Sequence, residues 1–92
     1  MPKYRLIYSE KAEIGFKKFE KAGNKIALKK ISKLLKEIAE HPKTGTGHPE
    51  QLKYRENCWS RRIDKEHRLV YDIEEEVVIV LIISAYGHYD EN

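Results

Sequence analysis

From Val77 to Ile83 the chain reads VVIVLII, an apolar run without a polar break. A strand with one wet face alternates apolar and polar side chains, so this run asks for cover on both faces and predicts a strand in the interior of a sheet. A chain of 92 residues has room for one small core, since domains below roughly 100 residues rarely divide into two. The remaining segments must therefore supply the cover, and we expect one domain over residues 1–92, of the α+β class.

The flanking patterns show how. Lys3 and Arg5 alternate with Tyr4, Leu6 and Tyr8, the period of a half-buried strand, and Ser9 followed by Glu10 and Glu13 reads as a helix start. Ala12, Phe16 and Phe19 recur at helical spacing up to Ala22-Gly23, where glycine can take the left-handed conformation that ends a helix. Asn24 can cap a second helix, whose stripe is Ala27, Ile31, Leu34, Leu35 and Ile38 and which stops at His41-Pro42. The two helices form a hairpin that buries its stripe on one face of the sheet. Residues 43–49, KTGTGHP, are a loop whose small residues permit close backbone approach, either as a plain connector or beside a ligand. Gln51–Arg55, Trp59–Ile63, His67–Ile73 and Val77–Ser84 read as strands of an antiparallel meander, with polar turns at Glu56-Asn57, Asp64-Lys65-Glu66 and Glu74-Glu75.

Charge adds a weak hint. Lys and Arg number 18 against 15 acids, and the positives gather at Lys25, Lys29, Lys30, Lys33 and Lys36 while acids gather at Asp72, Glu74, Glu75, Glu76, Asp90 and Glu91. Such runs are usually solvated faces, although a basic patch also suits a polyanion. Cys58 is the single cysteine, which excludes an intramolecular disulfide, and beside Trp59 it reads as a small core residue. The four histidines lack metal-ligand spacing, so neither metal nor cofactor is expected. No N-terminal apolar segment resembles a secretion signal or a membrane span, and a cytoplasmic protein without membrane attachment is the expectation.

Glu50, Arg62, Arg68 and His88 stand beside loops or strand ends, where chemistry is more accessible than in a strand centre. Each alone is more readily an ordinary surface group. Together they match metal-independent RNA cleavage, which needs a base for the 2′-hydroxyl proton, a cation on the phosphorane and an acid for the departing 5′-oxygen. A carboxylate such as Glu50 can take the proton, Arg68 offers a permanently charged fork to phosphate, and a histidine of reference pKa about 6.5 can donate near neutral pH. Lys53 and Arg62 add positive field, and Tyr86 and Tyr89 are of a type that stacks on unpaired bases. Spacing alone leaves RNA binding and catalysis as separate possibilities.

The segments GTGHPEQLKY, WSRRIDKEHRLVY and, after the apolar strand, YGHY resemble the Txe/YoeB branch of the RelE-type toxins over nearly the whole chain. The resemblance implies a RelE-like microbial ribonuclease fold with two N-terminal helices against an antiparallel sheet. It implies a toxin of a type II toxin–antitoxin system that cuts messenger RNA in the ribosomal A site. By matching positions it assigns Glu50 as general base, Arg68 as phosphate-stabilising cation, His88 as general acid and Tyr89 as the adjacent functional tyrosine. Lys53 and Arg62 fall on basic positions for RNA or ribosome contact, and His67 is structural. A cognate antitoxin of the YefM/Axe type is implied, and homodimers in some members.

Family chains commonly end at or just after the HY pair, whereas Asp90-Glu91-Asn92 follow it here. Acids beside His88 favour its protonated form and also repel phosphate. Two other functions compete: a ParE-like poison of DNA gyrase, which lacks the Glu, Arg and His set, and a noncatalytic RNA-binding module that uses the lysine-rich helix.

Overall fold

The structure, a computed structural model, describes residues 3–53 and 56–85. Its elements follow in the order β1 (Arg5–Tyr8), α1 (Glu10–Lys21), α2 (Lys25–Glu40), β2 (Glu50–Gln51), β3 (Cys58–Arg62), β4 (His67–Glu74) and β5 (Val77–Ala85).

Local chemistry sets the helix ends as the sequence leads one to expect. The Ser9 hydroxyl accepts from the Ala12 amide at 3.1 Å and also donates to the Leu81 carbonyl, so one side chain caps α1 and ties it to β5. Gly23 stands at φ +66° just beyond α1, and the Asn24 side chain accepts from the Ala27 amide at 3.0 Å to open α2. Ala27, Ile31, Leu34 and Ile38 are buried along α2, while Lys25, Lys29, Lys33 and Lys36 face solvent.

The sheet runs β1-β5-β4-β3-β2. β2 to β5 form the expected antiparallel meander, and β1 adds a parallel edge on β5, with Leu6 opposite Val78 and Tyr8 opposite Val80. The helix pair carries the chain from β1 at one edge of the sheet to β2 at the other, and the meander β2 to β5 then returns it beside β1, a connection long enough for a parallel pairing. β5 is thus interior, between β1 and β4, as its apolar run demands.

Two apolar clusters lie on opposite faces. The larger joins Ala12, Phe19, Ile31, Leu34 and Ile38 of the helices to Leu69, Tyr71, Val78 and Val80 of the sheet. The smaller gathers Leu52, Cys58 and Val70 with half-buried Leu81. Cover of β5 is unequal: Val78 and Val80 are fully buried, whereas Val77, Ile79 and Leu81 keep partial exposure, because only one sheet face carries helices. Of the strand expected over Gln51–Arg55, Tyr54 and Arg55 lie outside the described residues, and the described part differs in starting one residue earlier and in leaving the strand at Leu52. β2 occupies only Glu50–Gln51, and Leu52 turns into the small cluster beside Cys58.

Candidate active site

Glu50 opens β2 and pairs with Ser60 of β3, and Arg62 of β3 pairs with Arg68 of β4. Side chains alternate across a sheet. Trp59, Ile63, Leu69, Tyr71 and Ile73 face the helices, while Cys58 and Val70 lie in the cluster on the other face. Glu50, Ser60, Arg62 and Arg68 share the parity of that second face. Three of the sequence-predicted residues, Glu50, Arg62 and Arg68, therefore converge on three adjacent strands.

The Glu50 carboxylate approaches the Arg68 guanidinium at 3.8 Å, with 56% of the Glu50 side chain exposed and 5% of Arg68. At that distance the pair is ionic and not a direct hydrogen bond. Arg62, exposed, sits directly across from Arg68. Like charges on facing residues destabilise a sheet; the two guanidinium groups lie together at this end of the face with Glu50, while the buried carboxylate of Asp72 lies further along β4 on the same face. An anion laid on this face would relieve that repulsion. Ser60 lies at the centre of the group, fully buried, its hydroxyl without a hydrogen-bond partner among the described residues.

The other predicted residues are placed as follows. Lys53 is exposed two positions beyond β2. His88 and Tyr89 lie outside the described residues, as do Tyr86 and the Asp90-Glu91-Asn92 segment. β5 itself runs to Ala85 opposite His67, one step past the pairing of Ser84 with Arg68, so its end borders the site. His67 has a packing role, as expected: its Nδ1 lies 3.0 Å from Asp64 and its ring meets Phe19 edge-on at 4.9 Å. The lysines of α2 belong to the helical layer, on the opposite side of the sheet from Glu50 and Arg68. Among the described residues no three metal-ligating side chains gather to hold an ion, and no helix is long and apolar enough to cross a membrane.

Residues 8–89 match the model for the YoeB-like toxin of bacterial type II toxin–antitoxin systems. The chain belongs to this family. Toxin YoeB of Synechocystis is 49% identical over 67 residues, 72% of this chain and 76% of that toxin. A YoeB dimer from Staphylococcus aureus superposes with a TM-score of 0.80 at 34% identity, covering 95% of this chain and 99% of that one. A YoeB–YefM complex from the same organism matches at 0.77 and 35%, covering 94% and 98%. The fold is thus the RelE-like one expected, and the protein is a YoeB-family toxin of a type II system.

One residue escaped the sequence reading. Arg61, next to Arg62, is fully buried on the helix side of β3. Its Nε donates to the Tyr71 hydroxyl at 3.0 Å, Nη1 donates to Glu37 at 3.0 Å and to the Thr46 carbonyl at 3.2 Å, and Nη2 donates to the carbonyls of His41 at 2.5 Å and Thr44 at 2.7 Å. Glu37 accepts in turn from the Thr46 amide at 2.7 Å and the Thr46 hydroxyl at 2.8 Å. Partial burial pushes the Glu37 carboxyl up, but the two Thr46 bonds and the Arg61 charge, with Lys33 adding, hold it below the usual glutamate range. Burial raises the Tyr71 hydroxyl despite Arg61, and the hydroxyl donates to the Pro42 carbonyl at 2.6 Å. The signal was present in the alternation Trp59, Arg61, Ile63, which sets an arginine on an apolar face. In a toxin of this family that arginine sits directly behind the sheet face bearing Arg62 and Glu50.

Proposed function

We propose that this toxin is a ribosome-dependent endoribonuclease, a single-domain cytoplasmic protein that cleaves messenger RNA in the ribosomal A site and so stops translation. The observation that carries the reading is the meeting of Glu50, Arg62 and Arg68 on one sheet face, a carboxylate beside a nearly buried cation with a second cation across from it. RNA brings both the anion that such a face attracts and the hydroxyl that such a carboxylate can deprotonate.

In this mechanism the Glu50 carboxylate, more than half open to solvent, takes the proton of the 2′-hydroxyl as its oxygen attacks the neighbouring phosphorus. Arg68 donates to the phosphorane oxygens, where charge accumulates, from a position already desolvated. His88 protonates the 5′-oxygen as its bond to phosphorus breaks, leaving a 2′,3′-cyclic phosphate and a 5′-hydroxyl. Lys53 and Arg62 hold the RNA backbone, and Tyr89 contacts the nucleotide beside the cut. The chemistry is carried by side chains, and the ribosome supplies the orientation of the message, which accounts for a large part of the rate. By analogy with the YoeB–YefM complex, an antitoxin of the YefM/Axe type neutralises the toxin, and the YoeB dimer supports self-association as a second mode of assembly.

The test is primer extension on a defined message in programmed bacterial ribosomes, with wild-type toxin, Glu50→Ala and ribosome-free RNA compared. A cut in the A site that needs the ribosome and disappears in Glu50→Ala is the expected result. Poisoned cells without any cut would point instead to a protein target such as gyrase, and a cut that survives Glu50→Ala would remove Glu50 from the chemistry.

A further inference from the structure

We infer that Arg61 is a positioning residue of this site: with Glu37 and Tyr71 it forms a buried clasp that shapes the loop from His41 to Pro49 and thereby sets where Glu50 stands relative to Arg68. The inference rests on the proposed role of Glu50 and names what holds that residue in place.

The loop between α2 and β2 has little regular structure of its own, yet its carbonyls are taken up one after another. His41, Thr44 and Thr46 accept from the Arg61 guanidinium and Pro42 from Tyr71. Gly47 accepts from the Arg62 amide at 2.7 Å. Glu37 closes the ring by binding both Arg61 and Thr46. Space around the clasp is fully used. A Cβ on Gly45 would lie 2.4 Å from Glu37 Oε1 and 2.9 Å from Arg61 Nη1. One on Gly47 would lie 3.0 Å from the Arg62 carbonyl and from a methyl of Leu34. Glu50 follows Gly47 by three residues and is anchored by only a two-residue strand, so the path of the loop decides where its carboxylate arrives.

Such a fully buried guanidinium is an expensive way to shape a connector, because burying a charge is tolerated only when nearly every donor finds an acceptor. Arg61 and Arg62 divide the labour: adjacent on one strand, they point to opposite faces, one fixing the loop from behind and the other lying on the site. The clasp acts through geometry alone, since Arg61 is shut off from the face on which RNA would lie.

The experiment measures single-turnover cleavage of a defined message on programmed ribosomes by Tyr71→Phe, Glu37→Gln and Arg61→Lys, with circular dichroism and melting curves on the same samples. Tyr71→Phe removes the hydroxyl that joins Arg61 to Pro42, Glu37→Gln weakens the acceptor that binds Arg61 and Thr46, and Arg61→Lys loses the fork. We expect folded variants whose cleavage rate falls at least about tenfold while apparent ribosome affinity stays within about twofold, the mark of a misplaced reacting group. In a Glu50→Ala background the same Tyr71→Phe change should bring no further loss, because its effect passes through Glu50. Wild-type rates in the folded variants would overturn the inference, and so would a loss that multiplies in the double mutant. If Tyr71→Phe does not fold, Glu37→Gln, at a partly exposed helix position, carries the same comparison. Wild-type cleavage by Glu50→Ala alone would instead overturn the role of Glu50 and the inference with it, an outcome distinct from failure of the clasp variants.

Discussion

The Glu50 carboxylate stands 3.8 Å from the Arg68 guanidinium although the strand β3 runs between their backbones. The two side chains meet on the diagonal: Glu50 pairs with Ser60 and Arg68 with Arg62, two positions along β3 on the same face. An exposed carboxylate gains little stability from such a pair, about 0–1 kcal/mol. Glu50→Gln should therefore melt like wild type, while the loss of a positioned base lowers cleavage by about 10²–10⁴-fold. Arg68→Lys keeps the charge but not the planar fork, and a loss of roughly 10²-fold in single-turnover rate is expected. Paired melting and cleavage measurements check both, and near-wild-type cleavage in Arg68→Lys would mean that charge alone suffices.

Glycines with left-handed backbone divide into two kinds. Gly23, at φ +66°, has nothing within 4 Å of a built Cβ, so Gly23→Ala meets only the backbone penalty of about 1–2 kcal/mol. Gly45, at φ +127°, meets both Glu37 and Arg61, so Gly45→Ala adds displacement of an ion pair between buried Arg61 and partly exposed Glu37 and should destabilise more. Urea melts of the two variants measure the difference, and equal midpoints would show that the clasp can move aside.

Acid stability should depend on Glu37. Its pKa in the fold lies below the ordinary glutamate value, so the unfolded chain binds the proton more tightly. The contribution is therefore fully present above the ordinary value and is lost as pH falls through it toward the lower folded value. Glu37→Gln should flatten this limb of a melting temperature–pH profile. Some acid sensitivity should persist, because Asp64 is also held low: partial burial raises it, but the Glu66 amide and the side chain and amide of His67 prevail. An unchanged acid limb in Glu37→Gln would contradict the assignment.

Ser9 serves α1 and β5 at once through one hydroxyl. Ser9→Ala should cost about 0.5–2 kcal/mol for the lost cap, toward the upper end because the Leu81 carbonyl also loses its donor. Ser9→Asp retains the acceptor for Ala12 but cannot donate to Leu81, so it should recover only part of the loss. Full recovery in chemical denaturation would show that the bond to Leu81 contributes nothing.

What could be read from the sequence was what neighbouring residues decide among themselves. Ser9, Gly23 and Asn24 mark helix ends because capping acts over three or four positions, and the stripe of α2 follows from a period of 3.6. The run at Val77 placed β5 inside the sheet, and the motifs around Glu50 and Arg68 carried the family resemblance. The sequence did not reveal that β1 would join β5 in parallel, that β2 would be confined to Glu50–Gln51, or which acceptors would meet Arg61 on the helix side of the sheet. Those outcomes depend on which strands become neighbours and on which acceptors a long loop brings to a buried charge. Local pattern thus determined the elements and the candidate residues, whereas sheet order and the packing of Arg61 against Glu37 and Tyr71 decided where those residues stand, because contacts between distant segments form only when the whole core closes.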